Sequence, residues 1–143
     1  MLVKCIANKP DALGRPEPRA FHTSQTDYSD LEVGKEYPVL GLTLSELVLL
    51  ALVVVEWETP FWLPVGLFDF TNATLPDCWK FSVVKRAAAS GGPADHEKRI
   101  AIWGYPKLVE DPVHADMVVE RDPEAMAIFR RELARELGEF DDL

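Results

Sequence analysis

Apolar residues crowd the first two thirds of the chain in short runs broken by proline and glycine, and only the last third shows helical spacing. Leu2 to Ala7 is a brief apolar run with one lysine, closed by Asn8-Lys9-Pro10, and predicts a strand ending in a turn. Pro10, Gly14, Pro16 and Pro18, followed by the polar stretch His22 to Asp30, predict a long loop over 10–33. Glu36 to Leu42 has strand composition, and Pro38, which cannot donate a ladder hydrogen bond, predicts an edge or bulge there.

Leu47 to Trp57 is apolar on both alternating faces, with Val48, Leu50, Leu52 and Val54 on one and Leu49, Ala51, Val53, Val55 and Trp57 on the other. A helix capped by Ser45 competes, but the triplet Val53-Val54-Val55 and the short length favour a strand. Such a strand needs a cover on each face. Pro60 to Phe70 continues the aromatic pattern, interrupted by Pro64 and Gly66, and Asn72 to Asp77 reads as a turn. Cys78 to Lys85 alternates with Trp79, Phe81 and Val83 on the expected core face. Ile100 to Tyr105 predicts one further strand.

The helical signals come last. Asp111-Pro112 and Asp122-Pro123 each set an N-cap residue before a proline at the first helical position. Pro123 to Leu137 places Met126, Phe129, Leu133 and Leu137 on one stripe, with Gly138 as the stop. This helix is the expected cover for the doubly apolar strand. The expected fold is α+β: a small five- to six-stranded antiparallel barrel or bent sheet with C-terminal helices packed on it. The expected organisation is one domain, with a β part over 1–86, a linker over 87–99 and a strand plus acidic helical tail over 100–143.

Composition fits that reading: 143 residues, 48% of them hydrophobic and 27% charged, are enough for one ordinary core. Cys5 and Cys78 are too few for a disulfide-stapled scaffold. The start of the chain has no signal-peptide pattern, and the uncharged run Leu47 to Val55 is half of what a helical membrane span requires, so the expected location is the cytoplasm. Fifteen basic against 24 acidic side chains give a net charge of −9, which disfavours nucleic-acid and anionic-membrane partners. The excess is uneven. Residues 1–86 hold 8 basic and 11 acidic side chains, whereas residues 110–143 hold 4 and 11. That acidity is either a solvated helical face or a surface matched to a basic partner.

Catalytic chemistry finds little support. His22, His96 and His114 have no paired ligand three or four residues away and neither cysteine lies in a CxxC pair, so no metal site is encoded locally. Gly91-Gly92 leads into proline rather than a phosphate-binding helix, which leaves no cofactor signature. Glu56 and Glu58 share one strand face, where two solvated rim charges are the commoner outcome than an acid/base pair. Trp79 is expected in the core, while Trp57, Trp62 and Trp103 lie at element ends, where tryptophan serves either as core or as a partner anchor.

Val3-Lys4-Cys5-Ile6, the stretch Leu31-Glu32-Val33-Gly34-Lys35-Glu36-Tyr37-Pro38-Val39-Leu40-Gly41, Pro64-Val65-Gly66-Leu67-Phe68-Asp69 and Trp79-Lys80-Phe81 together resemble small SH3-like barrel proteins of bacteria and their phages. The tail, Trp103 to Val109 with Asp122-Pro123-Glu124-Ala125 and Ile128-Phe129, looks like the helical addition of immunity proteins of polymorphic toxin systems. The long 10–33 loop departs from that barrel pattern. The resemblance implies a non-enzymatic immunity or antitoxin-like protein that occludes a cognate toxin with a basic surface. The expected contacts are Asp27, Tyr28, Asp30, Glu32, Glu56, Glu58 and Trp62, with the acidic tail as a second patch. Two other classes compete: a phage or mobile-element inhibitor mimicking nucleic-acid charge, and a small hydrolase using loop carboxylates.

Overall fold

In the computed structural model, residues 1–8, 28, 31–45, 48–55, 59–83 and 99–138 are described. Seven strands come first, β1 (Leu2–Cys5), β2 (Glu36–Ser45), β3 (Leu49–Val55), β4 (Thr59–Pro64), β5 (Phe68–Asn72), β6 (Lys80–Val83) and β7 (Arg99–Gly104). Helices α1 (Pro106–Glu110), α2 (Pro112–Val119) and α3 (Pro123–Glu136) follow. The chain is therefore α+β. The strand count exceeds the expected five or six because Val65–Leu67 forms a 3₁₀ turn that divides the Pro60–Phe70 run into β4 and β5.

All pairings are antiparallel, in the order β4-β3-β2-β1-β5, with β7 on β2 and β6 on β7. Among the described residues β4 and β5 do not meet, so the sheet is not closed. Strand β2 organises it. Its first residues pair with β1 (Pro38 with Leu2), and after a register shift between Val39 and Gly41 its second half pairs with both β3 and β7. A bulge of this kind bends a strand and raises its twist. Pro38 sits just before that shift, where the β3 ladder has not yet begun.

Strand β3 is buried along nearly its whole length and separates two cores. Ala51, Val53 and Val55 face a cluster with Val3, Cys5, Tyr28, Leu31, Tyr37, Leu67 and Phe68. Leu52 and Val54 face another with Leu40, Ile102, Tyr105, Leu108, Met126, Phe129 and Leu133. Helix α3 thus supplies the second cover that the doubly apolar strand demands. Each fully buried side chain of this size contributes about 1.5–3 kcal/mol. Leu137 is the exception on its stripe: it lies past the last helical turn and is 50% exposed.

Both predicted N-caps form. Asp111 accepts from the amides of Val113 and His114, and Asp122 from those of Glu124 and Ala125. Gly138, at φ 78°, ends α3 in the left-handed conformation that favours glycine. Ser45 caps no helix. Its hydroxyl instead exchanges hydrogen bonds with Val48 at the β2–β3 turn.

Candidate functional site

Two features stand out where side-chain chemistry meets the surface. The first is a cleft of about 170 Å³ between α1, α2 and the start of α3, lined among others by Lys107, Asp111, His114, Met117, Asp122 and Glu124. His114 is 4% exposed, and its Nε2 lies 2.8 Å from the hydroxyl of Tyr105, itself 1% exposed. Burial holds the imidazole pKa below its ordinary 6.5, aided by Lys107 and opposed by Asp111. Burial likewise pushes the Tyr105 hydroxyl well above its ordinary 10, with Glu132 adding to the effect.

The carboxylates of this cleft are largely engaged in structure. Asp111 holds two amides of α2 and pairs with Lys107 at 3.1 Å, so the lysine first and those amides next draw its pKa down. Asp122 holds two amides of α3. Among the described residues no group of three or more His, Cys, Asp and Glu is placed to hold a metal ion. The cleft therefore assembles two helix caps around a buried His–Tyr pair.

The second feature is a sheet face. Leu42 of β2 stands opposite Trp103 of β7, which stands opposite Phe81 of β6. In the next row Leu44, Ala101 and Val83 follow the same order. The Phe81 and Trp103 ring centroids are 4.8 Å apart. Cover thins towards β6, where Phe81 is 53% and Val83 54% exposed. The expected burial of Phe81 and Val83 is not found: they share the sheet face of Leu42 but lie beyond the cover of the first core, while Lys80, on the other face, pairs with Glu110 of α1 at 3.3 Å. Trp79 is half-buried against the first core.

Among the described residues singled out in the sequence, Tyr28, Glu32 and Trp62 do not form one cluster. Tyr28 is 4% exposed and packs in the first core, so its ring is not a surface contact. Glu32 is exposed in the turn before β2, its amide donating to the Tyr37 hydroxyl at 2.8 Å. Trp62 is half-buried on β4 and packs against the helical core, on the other side of the sheet from Tyr28. Asp27, Asp30, Glu56, Glu58, Trp57 and most of the 10–33 and 87–99 segments lie outside the described residues.

The described part of the acidic tail exposes Glu110, Asp116, Glu120 and Glu124, but the second half of α3 departs from that pattern. On α3 the outward residues include Arg130 and Arg131, whereas Glu132 and Glu136 are turned inward. Glu132 pairs with Arg135 at 3.1 Å, and Glu136 pairs with the α-amino group of Met1. The described part of α3 therefore offers a basic, not an acidic, second half to solvent.

The sequence signals for these features were weak. His114 and Tyr105 are nine residues apart across a turn, a separation with no local motif. Phe81 and Val83 were visible as an alternation, but alternation cannot say which face is covered. No helix among the described residues is long and apolar enough to cross a membrane. No protein-family model, no curated protein and no solved structure gives a significant match to the chain.

Proposed function

We propose that the chain is a non-enzymatic immunity or antitoxin-like protein that binds and neutralises a cognate bacterial toxin. The observation that carries this reading is the uncharged face Leu42–Trp103–Phe81 and Leu44–Ala101–Val83, whose outer margin exposes a large aromatic side chain. Exposed aromatic residues beside better-packed neighbours are the usual anchors of protein interfaces. The net charge of −9 favours a partner with a basic surface, since complementary charge speeds encounter and rejects wrong partners. Glu32, Glu56 and Glu58 are the acidic side chains proposed to meet that partner, and Phe81 takes the aromatic place of Tyr28, which is buried. We read the bulged β2, shared between β1 and β7, as an opened version of an SH3-like barrel.

The test is co-expression with the toxin domain encoded by the neighbouring gene. A 1:1 complex and rescue of the cell from that toxin are expected, weakened by charge reversal at Glu56 and Glu58 and by Phe81→Asp. Failure to co-purify with that product, together with failure to protect the cell, overturns the reading.

A further inference from the structure

Helix α2 is anchored unlike its neighbour. Eight residues are too few to be helical in water on their own, so α2 depends on what it packs against. Its apolar residues do not share a face, because Val113 is 65% and Val119 53% exposed. The residues it buries are Ala115, Val118 and His114, and the largest of these side chains is the imidazole. Helix α3, by contrast, is held by Met126, Phe129 and Leu133. The imidazole stands edge-on to Tyr105, with ring centroids 5.6 Å apart, and Tyr105 stands edge-on to Phe129. Ala115, Val118 and the partly buried Met117 also pack against this core, but His114 is the one titratable side chain among the buried residues that attach α2.

We propose that α2 is an acid-releasable element: protonation of His114 frees it from Tyr105 and opens the adjoining cleft while α3 and the sheet stay folded. The cleft borders His114 directly, so opening needs no movement of α3 to admit water to the ring. In the imidazolium both ring nitrogens are donors, so Nε2 can only donate to the Tyr105 hydroxyl, and the buried ring must carry a charge beside Lys107. The charged groups around the ring do not rescue that state. From α1, Lys107 repels it; Asp111 attracts it, but that carboxylate is engaged by two α2 amides and by Lys107. From α3, Asp122 and Glu124 stand on the cleft wall, the former engaged in its cap, and Glu132 acts on Tyr105. Strands β3 and β4, which form the floor of this core, carry no ionisable side chain. Burial and Lys107 outweigh Asp111, so the ring resists protonation while α2 is closed. The open state accepts the proton more readily, and falling pH therefore drives opening.

Amide hydrogen exchange on the full chain tests this, with rates corrected for their intrinsic pH dependence and compared at about pH 7.5 and about pH 5.5. The expected result is a severalfold loss of protection confined to α2, absent in His114→Gln, whose neutral amide keeps a hydrogen-bonding group near Tyr105. Unchanged protection of α2, or an equal loss across α2, α3 and the sheet, overturns the proposal. So does the same loss in His114→Gln. If that variant does not fold, direct NMR titration of His114 in the wild-type chain decides: an imidazole that titrates at or above its ordinary 6.5 overturns the latch.

Discussion

Gly41 and Gly104 stand opposite one another across β2 and β7, and the Leu108 side chain of α1 occupies the space above both. A Cβ on Gly41 would lie 2.5 Å from Leu108 Cδ2, and one on Gly104 would lie 2.7 Å from the same atom. The absence of two side chains lets α1 sit directly on the sheet, which in turn positions Tyr105 beneath α2.

Alanine at either glycine is expected to destabilise the fold by about 1–3 kcal/mol through overpacking. Gly104→Ala should be the worse. Its Cβ meets two backbone atoms, 2.9 Å from the Leu40 carbonyl oxygen and 3.2 Å from Gly41 Cα, whereas one on Gly41 meets the Trp103 carbonyl oxygen at 3.1 Å, and backbone cannot swing aside. In the Gly41→Ala background, Leu108→Ala should cost less than in the wild type, because the truncation removes the clash. Urea unfolding of the four proteins in this cycle measures the coupling. Stabilities that simply add would disprove the contact.

Asp122 caps α3 through two amides, each 3.1 Å from Oδ2. Asp122→Ala should therefore cost about 1 kcal/mol, and Asp122→Asn much less, since asparagine caps nearly as well. Thermal melts of the two variants separate the cap from any effect of charge: equal losses would assign the role to the carboxylate's charge instead.

How much of this was legible beforehand depends on how local the cause is. The Asp-Pro caps were readable because a cap is a contact two or three residues away. Strand β3 was readable because apolar residues on both faces demand two covers, and Met126, Phe129 and Leu133 announced one of them. The exposure of Phe81 and Val83 on β6 was not, because alternation with Lys80 and Ser82 groups them on one face without saying how far the cover of that face extends. The contact between Tyr105 and His114 was equally invisible, since it exists only once α1 has turned the chain. Composition is a poor guide on α3, where Glu124 is exposed but Glu132 and Glu136 are turned inward and pair with Arg135 and the α-amino group of Met1.

Arg121 links α2 to α3 with φ at 58°, a conformation that costs a non-glycine residue about 1 kcal/mol or more. Its guanidinium lies 4.8 Å from the centroid of the Phe61 ring on edge strand β4. At an exposed site that contact returns about 0.5–1 kcal/mol. Arg121→Gly loses the contact and relieves the strain, so its stability should stay close to that of the wild type. Arg121→Ala loses the contact and keeps the strain, and should be the less stable of the two by about 1 kcal/mol. Chemical denaturation that ranks alanine above glycine would show that the backbone is not strained there.

The buried pair predicts a stability profile limited on both sides by burial of its two side chains. His114 has a depressed pKa in the folded chain, so below its ordinary 6.5 the unfolded chain binds a proton that the folded chain refuses. Stability is therefore full above that value and declines as pH falls through it towards the folded-state pKa. Tyr105 has a raised pKa, so above its ordinary 10 the unfolded chain releases a proton that the folded chain retains. Stability declines again as pH rises beyond that point. One proton sets a ceiling of about 1.4 kcal/mol per pH unit on either slope. Asp111 adds its own loss only near and below its ordinary 3.8, so readings kept above about pH 5 isolate the histidine. Urea unfolding across the range in three proteins tests both limits. His114→Gln should flatten the acid side and leave the alkaline side standing, whereas Tyr105→Phe should lessen the alkaline decline and leave the part that Cys5 adds above its ordinary 9.0, its thiol also being raised by burial. If the acid decline is unchanged in His114→Gln, the proton taken up on unfolding belongs to another group, and the burial of this imidazole does not govern the response of the fold to acid.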